Sequence, residues 1–409
     1  MKKTIYILLL IIIGSCSTFE ENLDDSFFDL NLDVPLDEIA TDLPIVNIEV
    51  DQNDFDRMIE NFEDEIEIEA HFNLYRNQEL QINQELIELE IKGNYSKNFP
   101  LKSLGIKFED RFDNRNRKLI APDHILPQHS LDFIKAIRLR NSGNDFKQTM
   151  LKDLSYSQLA IQADLDVDVA YGEASLVFIN EKFYGLLNLR TEANANGMAG
   201  LYDVKKGDIT LAKLVTGKLL KKNGDFPRID ALVSAVGNKD IAFLQGEIDI
   251  DNFIDYMIFQ TFITNVDWPH TNVRFYAIKN SKFRFVLYDL DVANWIKLEE
   301  GSLELIDKKI PNFVSKLFFA LYEDVLFQKQ FWNRYQEILE TGNLDEEVFE
   351  KIVHHNLEKI ELVMALQIEK YSFPESMVEW YLETDLLSSM FKRRATTIES
   401  IVEKKNEEL

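Results

Sequence analysis

Two short stretches of the chain hold side chains that could do chemistry together. Asn265-Val266-Asp267-Trp268-Pro269-His270-Thr271-Asn272 sets a carboxylate five residues ahead of an amide. Asp289-Leu290-Asp291, beginning seventeen residues after Asn272, adds two carboxylates at strand spacing. Phosphoryl transfer needs this set: one carboxylate to accept the proton of an attacking hydroxyl, and an amide and a later carboxylate to hold the Mg²⁺ that neutralises a triphosphate. Carboxylate and amide oxygens are hard donors, suited to Mg²⁺ or Mn²⁺. A transition metal fits less well, because the six histidines show no ligand spacing: His354 and His355 are adjacent and His270 stands alone. Taken by itself the spacing is also met by ordinary turn residues, Asp267 closing a helix and Asp289 and Asp291 ending a solvated strand.

The surrounding sequence predicts elements that bring these residues together. Asp251 to Thr264 reads as a helix with Phe253, Ile254, Met257, Ile258 and Phe262 on one face, so Asp267 and Asn272 lie on the loop that leaves it. Residues 273–278 and 283–288 read as a hairpin with Asp289 at its exit. A loop leaving a helix and the end of a hairpin can meet at one point, and strand alternation puts Asp289 and Asp291 on the same side if the strand continues. Upstream, residues 43–50, 65–70, 86–92, 103–108 and 136–140 alternate as strands, the last stopped by Asn141-Ser142-Gly143-Asn144. A helix is expected over 149–162, and a hairpin over 174–179 and 183–189 around Asn180-Glu181-Lys182. Residues 217–228, rich in Lys and Gly, read as a loop, and from Pro311 to about Lys404 the pattern is helical. Strands first and helices later predict an α+β body with an antiparallel, β-rich N-terminal half and a helical C-terminal half.

The start of the chain predicts an address. Met1-Lys2-Lys3 is a positive head, Thr4 to Ile13 an apolar run too short to span a bilayer, and Gly14-Ser15-Cys16 ends it with small residues before the only cysteine of 409. Residues 1–16 are therefore read as a lipoprotein signal peptide with Cys16 as the lipidated residue, two acyl chains being enough for stable anchoring. Between Lys3 and Arg57 there is no basic residue, and residues 17–42 carry nine carboxylates. Such a segment repels itself, extends, and is read as an acidic tether ahead of a folded domain over 43–409. The expected location is the cell envelope, on a bacterial membrane, with the outer membrane or cell surface favoured by the acidic stretch after the cysteine. A single cysteine leaves no disulfide within the chain, so packing alone must hold the fold. The charge balance of 45 basic against 71 acidic residues, net −26, argues against a nucleic-acid partner, which demands a basic face.

Four segments, in order, resemble the spore-coat CotH kinase family. Ile91-Lys92-Gly93-Asn94-Tyr95-Ser96 followed by Phe99-Pro100-Leu101-Lys102-Ser103-Leu104-Gly105-Ile106-Lys107-Phe108 is similar to the family's R-G-N-S turn and F-P-K-K-S-Y-R-I-K-F run. Leu139-Arg140-Asn141 leads to Met150-Leu151-Lys152-Asp153-Leu154-Ser155-Tyr156. Val177 to Leu186, running on to Thr191-Glu192, resembles the L-Y-L-N-G-E-Y-W-G-V-Y…T-E hairpin. Asn252 to Tyr256, the Asp267 loop and Phe283-Arg284-Phe285…Tyr288-Asp289-Leu290-Asp291 match the aspartate loop and the K-W-R-F…W-D-L-D strand. The resemblance spans about 43–294. Phe283 and Tyr288 stand where the family usually has Trp, Lys92 where it has Arg, and Leu101 where it has the first Lys of a pair.

The resemblance implies an atypical protein-kinase-like fold and ATP-dependent phosphorylation of a protein. Under it Asp267 is the catalytic base, in the D-x-x-x-x-N spacing of kinase catalytic loops. Asn272 and Asp289 are metal ligands, with Asp291 assisting. Lys102 is placed to contact the nucleotide phosphates, with Lys107 as its rival on the opposite strand face; Arg140 and Lys152 are further phosphate candidates, and Tyr184 and Phe283 candidates to stack on adenine. The expected function is an exported, lipid-anchored kinase transferring the ATP γ-phosphoryl group to a Ser or Thr of a protein. Because this demands ATP outside the cytoplasm, a surface binding protein or adhesin on a degenerate kinase-like scaffold is the competing reading. An accessory lipoprotein of glycan uptake is a third, suggested only by the lipobox.

Overall fold

The computed structural model describes residues 32–108, 119–120, 126, 133–294, 312–342 and 344–408. The signal peptide with Cys16, and most of the acidic tether, lie outside the described residues. Strands β1 (Ile45–Glu49), β2 (Glu67–Arg76), β3 (Glu79–Lys92), β4 (Ser103–Lys107), β7 (Ala136–Arg140), β9 (Gly172–Ile179) and β10 (Lys182–Thr191) form a closed barrel in the order β1-β2-β3-β4-β7-β10-β9. Two-residue strands β5 (Leu119–Ile120) and β6 (Phe133–Ile134) pair beside it. The expected alternation is present, and every neighbour pairs antiparallel except β1 with β9, where Ile45 lies opposite Leu176 and Ile48 opposite Ile179. That parallel seam closes the barrel and abolishes its edges, which the local pattern of β1 does not signal. Inward residues such as Val46, Phe72, Leu89, Leu104, Leu139, Leu176 and Leu189 are fully buried.

A second sheet runs β12 (Lys218–Asn223)-β11 (Ile209–Val215)-β13 (Val273–Ile278)-β14 (Arg284–Leu287)-β8 (Asp168–Val169). Here the loop expected over 217–228 is corrected. Thr216 and Gly217, both at positive φ, make the tight turn that returns β12 against β11, with Val215 opposite Lys218. The chain then enters a helix at Phe226, its first turn capped by the Asp225 carboxylate and opened by Pro227. The lysines that made the segment look like a loop belong to an edge strand.

Described helices are α1 (Gln52–Glu60), α2 (Lys152–Gln162), α3 (Ala195–Leu201), α4 (Phe226–Asn238), α5 (Ile241–Glu247), α6 (Ile250–Phe262), α7 (Phe313–Tyr322), α8 (Val325–Glu340), α9 (Glu346–Tyr371) and α10 (Met377–Glu408). The fold is thus α+β and kinase-like, sheet-rich before and helical after. None of the described helices is long and apolar enough to cross a membrane. The late helices fix the elements that carry the site. Asn356 of α9 donates to Ser155 of α2 at 3.0 Å, and Trp380 of α10 to the Thr149 carbonyl at 2.8 Å. Buried Arg394 of α10 donates to the Thr261 and Phe262 carbonyls at 2.8 and 2.9 Å, satisfying the last turn of α6 from which the Asp267 loop departs.

Candidate functional site

Helix α6 is tied to strand β14 at its start and to the segment after that strand past its end, which sets the loop and the hairpin exit side by side. At its start Asn252 accepts from the Phe285 N–H at 2.6 Å and donates to the Phe285 carbonyl at 3.2 Å. Past its end, the Asn294 N–H reaches the Ile263 carbonyl at 2.9 Å and the Thr264 hydroxyl reaches the Asn294 side chain at 3.0 Å. Trp268 is fully buried and donates to the Tyr256 hydroxyl of α6 at 3.0 Å, pinning the loop next to Asp267. Asn272 then donates its amide nitrogen to the Asp289 carbonyl at 3.2 Å. Asp267, Asn272, Asp289 and Asp291 line one cleft of about 730 Å³. Both Asn272 (φ +55°) and Asp289 (φ +60°) occupy left-handed backbone, a conformation that costs energy for a side-chain-bearing residue and clusters at working sites.

Behind the two carboxylates stands Arg140. Its guanidinium donates to Asp289 and, at 2.9 Å, to Asp291, and its Nε lies 3.3 Å from Asp153 of α2. Asp153 also binds Arg190 at 2.8 Å and accepts from the Leu290 N–H at 2.8 Å, so one buried carboxylate orients the arginine and the backbone between Asp289 and Asp291. A strand cation held by a helix carboxylate and facing a metal-type Asp is the arrangement that protein kinases use to position nucleotide phosphates. Burial works against the Arg140 charge, but Asp289, Asp153 and Asp291 keep it protonated.

The two carboxylates are driven apart in acidity. Burial would raise the Asp289 carboxyl, yet Arg140 and a hydrogen bond from Asp291 bring it down to about 2. Asp291, deeper and only 2% exposed, is pushed well above the usual carboxylate range by burial and by the charge on Asp289. Its outer oxygen accepts from the Asn144 N–H and, at 3.0 Å, from the Asn144 side chain. Gly143 (φ +61°) makes this approach possible, since a Cβ there would collide with Asp291 Oδ2 and meet Arg140 Nη2 at 2.8 Å. Two adjoining carboxylates beside an amide oxygen would suit a hard divalent cation, which favours the ionised form of both. Asp289, Asp291 and Asn272, which line one cleft, would be the donors; no group of three or more His, Cys, Asp or Glu side chains suited to a metal occurs among the described residues.

The remaining sequence-stretch candidates divide. Lys107 lines the cleft, its ammonium bound by Glu67 and by Glu90 at 2.9 Å. Lys102 does not line it: it precedes β4, and its ammonium donates to the Lys97 carbonyl at 2.6 Å and lies over the Phe62 ring at 4.1 Å. Lys152 is buried at the start of α2 beside Gln148 and Asp145, at 2.9 and 3.8 Å, away from the cleft lining. Tyr184 exchanges hydrogen bonds with the Lys102 backbone and packs edge-on against Phe55, and Phe283 is fully buried against Phe275 with Arg228 over its ring. Neither aromatic ring lines the cleft; Tyr288 and Tyr95 do.

Sequence reasoning passed over Arg138, Glu192, Asp153 and Asn144. Arg138 is two residues before Arg140, hence on the same strand face, and makes a two-pronged bond to Glu192 at 2.7 and 2.9 Å. That i, i+2 spacing was a usable signal. Nothing local distinguished Asp153 from any acid in a helix's first turn.

The comparisons agree with the geometry in kind. A family model described as CotH kinase protein matches residues 89–398, beginning within β3 and running into α10, so it reaches beyond 294 into the helices that brace α2 and α6. No curated protein matches the chain. Among solved structures, the Shewanella oneidensis MR-1 toxin–antitoxin system HipA, HipB and its operator DNA complex gives an alignment at 8% identity and a TM-score of 0.29, over 66% of this chain and 60% of that one. That likeness is too slight to argue from. The family match takes in the barrel from β3 onward, both carboxylate-bearing segments and the bracing helices, and the protein belongs to the CotH kinase family.

Proposed function

We propose that this kinase-like protein transfers the γ-phosphoryl group of ATP to a Ser or Thr hydroxyl of a protein. The observation that carries the reading is that Asp267 and Asn272 from the α6–β13 loop, and Asp289 and Asp291 from the β14 exit, line one cleft with Arg140 held between carboxylates. Asp289, Asp291 and the Asn272 amide oxygen would hold Mg²⁺ or Mn²⁺, which when bound supplies charge neutralisation for the triphosphate. Arg140, steadied by Asp153, orients phosphoryl oxygens. Asp267 accepts the proton as the acceptor oxygen bonds to the γ-phosphorus and the bond to the bridging β–γ oxygen breaks, releasing ADP. Lys107 takes the phosphate-facing place among the two lysines of the β4 region, since it alone of the pair lines the cleft.

The same reading puts the protein on a membrane through lipid at Cys16, facing a non-cytoplasmic compartment. Incorporation of labelled fatty acid, absent in Cys16→Ala, tests the anchor. The chemistry is tested by incubating the purified protein with labelled ATP and Mn²⁺ or Mg²⁺, beside Asp267→Ala and Asp289→Ala. Transfer lost in both variants supports the kinase. Nucleotide binding without transfer would favour a binding protein on a degenerate scaffold, and neither binding nor transfer would leave the adhesin reading.

A further inference from the structure

We infer that the β11–β12 hairpin is the acceptor-recognition wall of the cleft, and that it selects hydroxyls flanked by acidic residues; the inference rests on the kinase reading above. In a chain of net charge −26, this wall is basic: Lys213 and Lys222 of the hairpin line the cleft together with Lys92, Arg138 and Arg274. Lys213 is about half-buried. Burial weakens its hold on its proton, and the charges acting on it most strongly after that, Arg274, Lys222, Arg138 and Lys92, are all cations. Glu192 already answers Arg138 and Arg274, and Glu90 answers Lys92, so an incoming anion is drawn chiefly by Lys213 and Lys222. Arg274 adds a buried Nε that has no partner among the described residues, on a guanidinium stacked 4.3 Å from the Tyr288 ring.

Lysines on an edge strand also deter unwanted pairing, and β12 is the edge of its sheet. That accounts for Lys218, and Lys221 is taken by Asp230 at 2.8 Å. It does not account for Lys213, which sits on the inner strand, or for Lys222, which lines the cleft.

Two placements assign the anion to the acceptor instead of the nucleotide. The nucleotide's phosphates have Arg140 at the far carboxylates, Asp289 and Asp291. The hairpin is instead joined to the loop of the proton acceptor: the Gly217 N–H at its tip donates to the His270 carbonyl at 2.6 Å, three residues past Asp267. An acceptor whose hydroxyl reaches Asp267 can continue along this wall, since Val215, Leu220, Lys213 and Lys222 line the same cleft.

The test uses the whole protein in detergent and two labelled peptides, a central Ser flanked by Glu or by Gln, each also made with Ala for Ser. Fluorescence anisotropy is expected to show the Glu peptide binding about tenfold tighter, a preference erased by Lys213→Glu and by Lys222→Glu and kept by Lys218→Glu. In turnover the same two variants raise the KM for the Glu peptide by about tenfold and move the KM for ATP by less than about twofold. Equal binding of the two peptides overturns the inference, as does a rise in the KM for ATP with the peptide preference intact, which would give the cluster to the nucleotide. Lys222 is exposed, so its variant folds even if Lys213→Glu does not. Tight, charge-selective binding of both Glu peptides with no transfer to the Ser one would sink the kinase reading and leave the recognition wall standing.

Discussion

Two concavities among the described residues are of similar size and opposite charge. The cleft of about 730 Å³ is lined by arginines and lysines around its aspartates; a groove of about 620 Å³ is lined by Glu49, Asp51, Asp54, Glu69 and Glu181. The groove has the denser row of carboxylates, yet each that can be followed has an ordinary task. Asp51 caps α1, accepting from the Asn53 and Asp54 N–H groups at 2.9 and 3.1 Å. Glu49 accepts from Asn73 and Gln84 at 3.0 and 2.6 Å. Around the cleft the charges arrive from β7, α2, the α6–β13 loop and the β14 exit; Arg140, Asp153 and Asp291 are buried, and the backbone is left-handed at Asn272 and Asp289. Number of acids therefore says little about a site. Desolvated charges cross-linked from distant elements, at an energetic cost to the backbone, say much more.

The widest separation between the two regions should be in activity. Asp289→Ala removes a cleft carboxylate that anchors Arg140 and would hold the cation, and phosphoryl transfer measured with labelled ATP is expected to fall roughly 10³-fold or more. Stability should follow the same divide. Asp153→Ala removes the carboxylate that binds buried Arg190 and one of the three around Arg140, and is expected to cost about 3–5 kcal/mol in a denaturant titration. A loss under about 1 kcal/mol would mean that the arginines find other partners and that Asp153 does not organise the site.

A pH titration sharpens the comparison further. Burial works to raise the Glu192 carboxyl, but Arg138, then Arg274 and Lys92, hold it below the ordinary value of 4.5. The folded carboxyl binds its proton less readily than the unfolded one, so its stabilisation is complete above the ordinary range and is lost as pH falls through the lowered folded value. Glu192→Gln, which keeps shape and loses charge, is expected to be about 2 kcal/mol less stable than the parent at neutral pH. That gap should close in acid, where both side chains are neutral. A gap independent of pH would show that shape, not charge, joins Arg138 to Glu192.

What the sequence made legible follows the range of the interactions. The strands of the barrel, helix α6 and the β13–β14 hairpin were readable because each writes its own period, and the loop carrying Asp267 was readable because helix and hairpin bracket it. The meeting of Asp267 and Asn272 with Asp289 and Asp291 was readable as a possibility of connectivity alone. The β1–β9 seam was not, since parallel partners about 130 residues apart leave no local mark. Strand β12 was hidden because its residues are mostly exposed and its glycines serve turns, so composition spoke for a loop. Of the two lysines, the sequence put Lys102 ahead of Lys107, and only Lys107 lines the cleft, because the choice depends on how the chain enters β4. Arg140, whose role depends on Asp153 thirteen residues away, ranked low because a strand arginine alone resembles any other.

The smallest expected effect tests the comparison most severely. Asp54 lies in the acidic groove, on the first turn of α1, with its side chain half-exposed and paired to Arg57 at 2.8 Å. An exposed i, i+3 pair contributes about 0.3–0.5 kcal/mol, and the favourable position near a helix N-terminus adds a similar amount at low salt. Asp54→Asn should therefore change unfolding free energy by no more than about 0.5 kcal/mol at physiological salt, and leave labelled-ATP transfer at the parental rate. Asp51→Ala, at the N-cap of the same helix, should cost about 1 kcal/mol because it removes a cap, again with transfer intact. Should Asp54→Asn depress transfer while stability holds, the groove would be coupled to the chemistry, and counting carboxylates would have been a better guide to function than tracing what holds them.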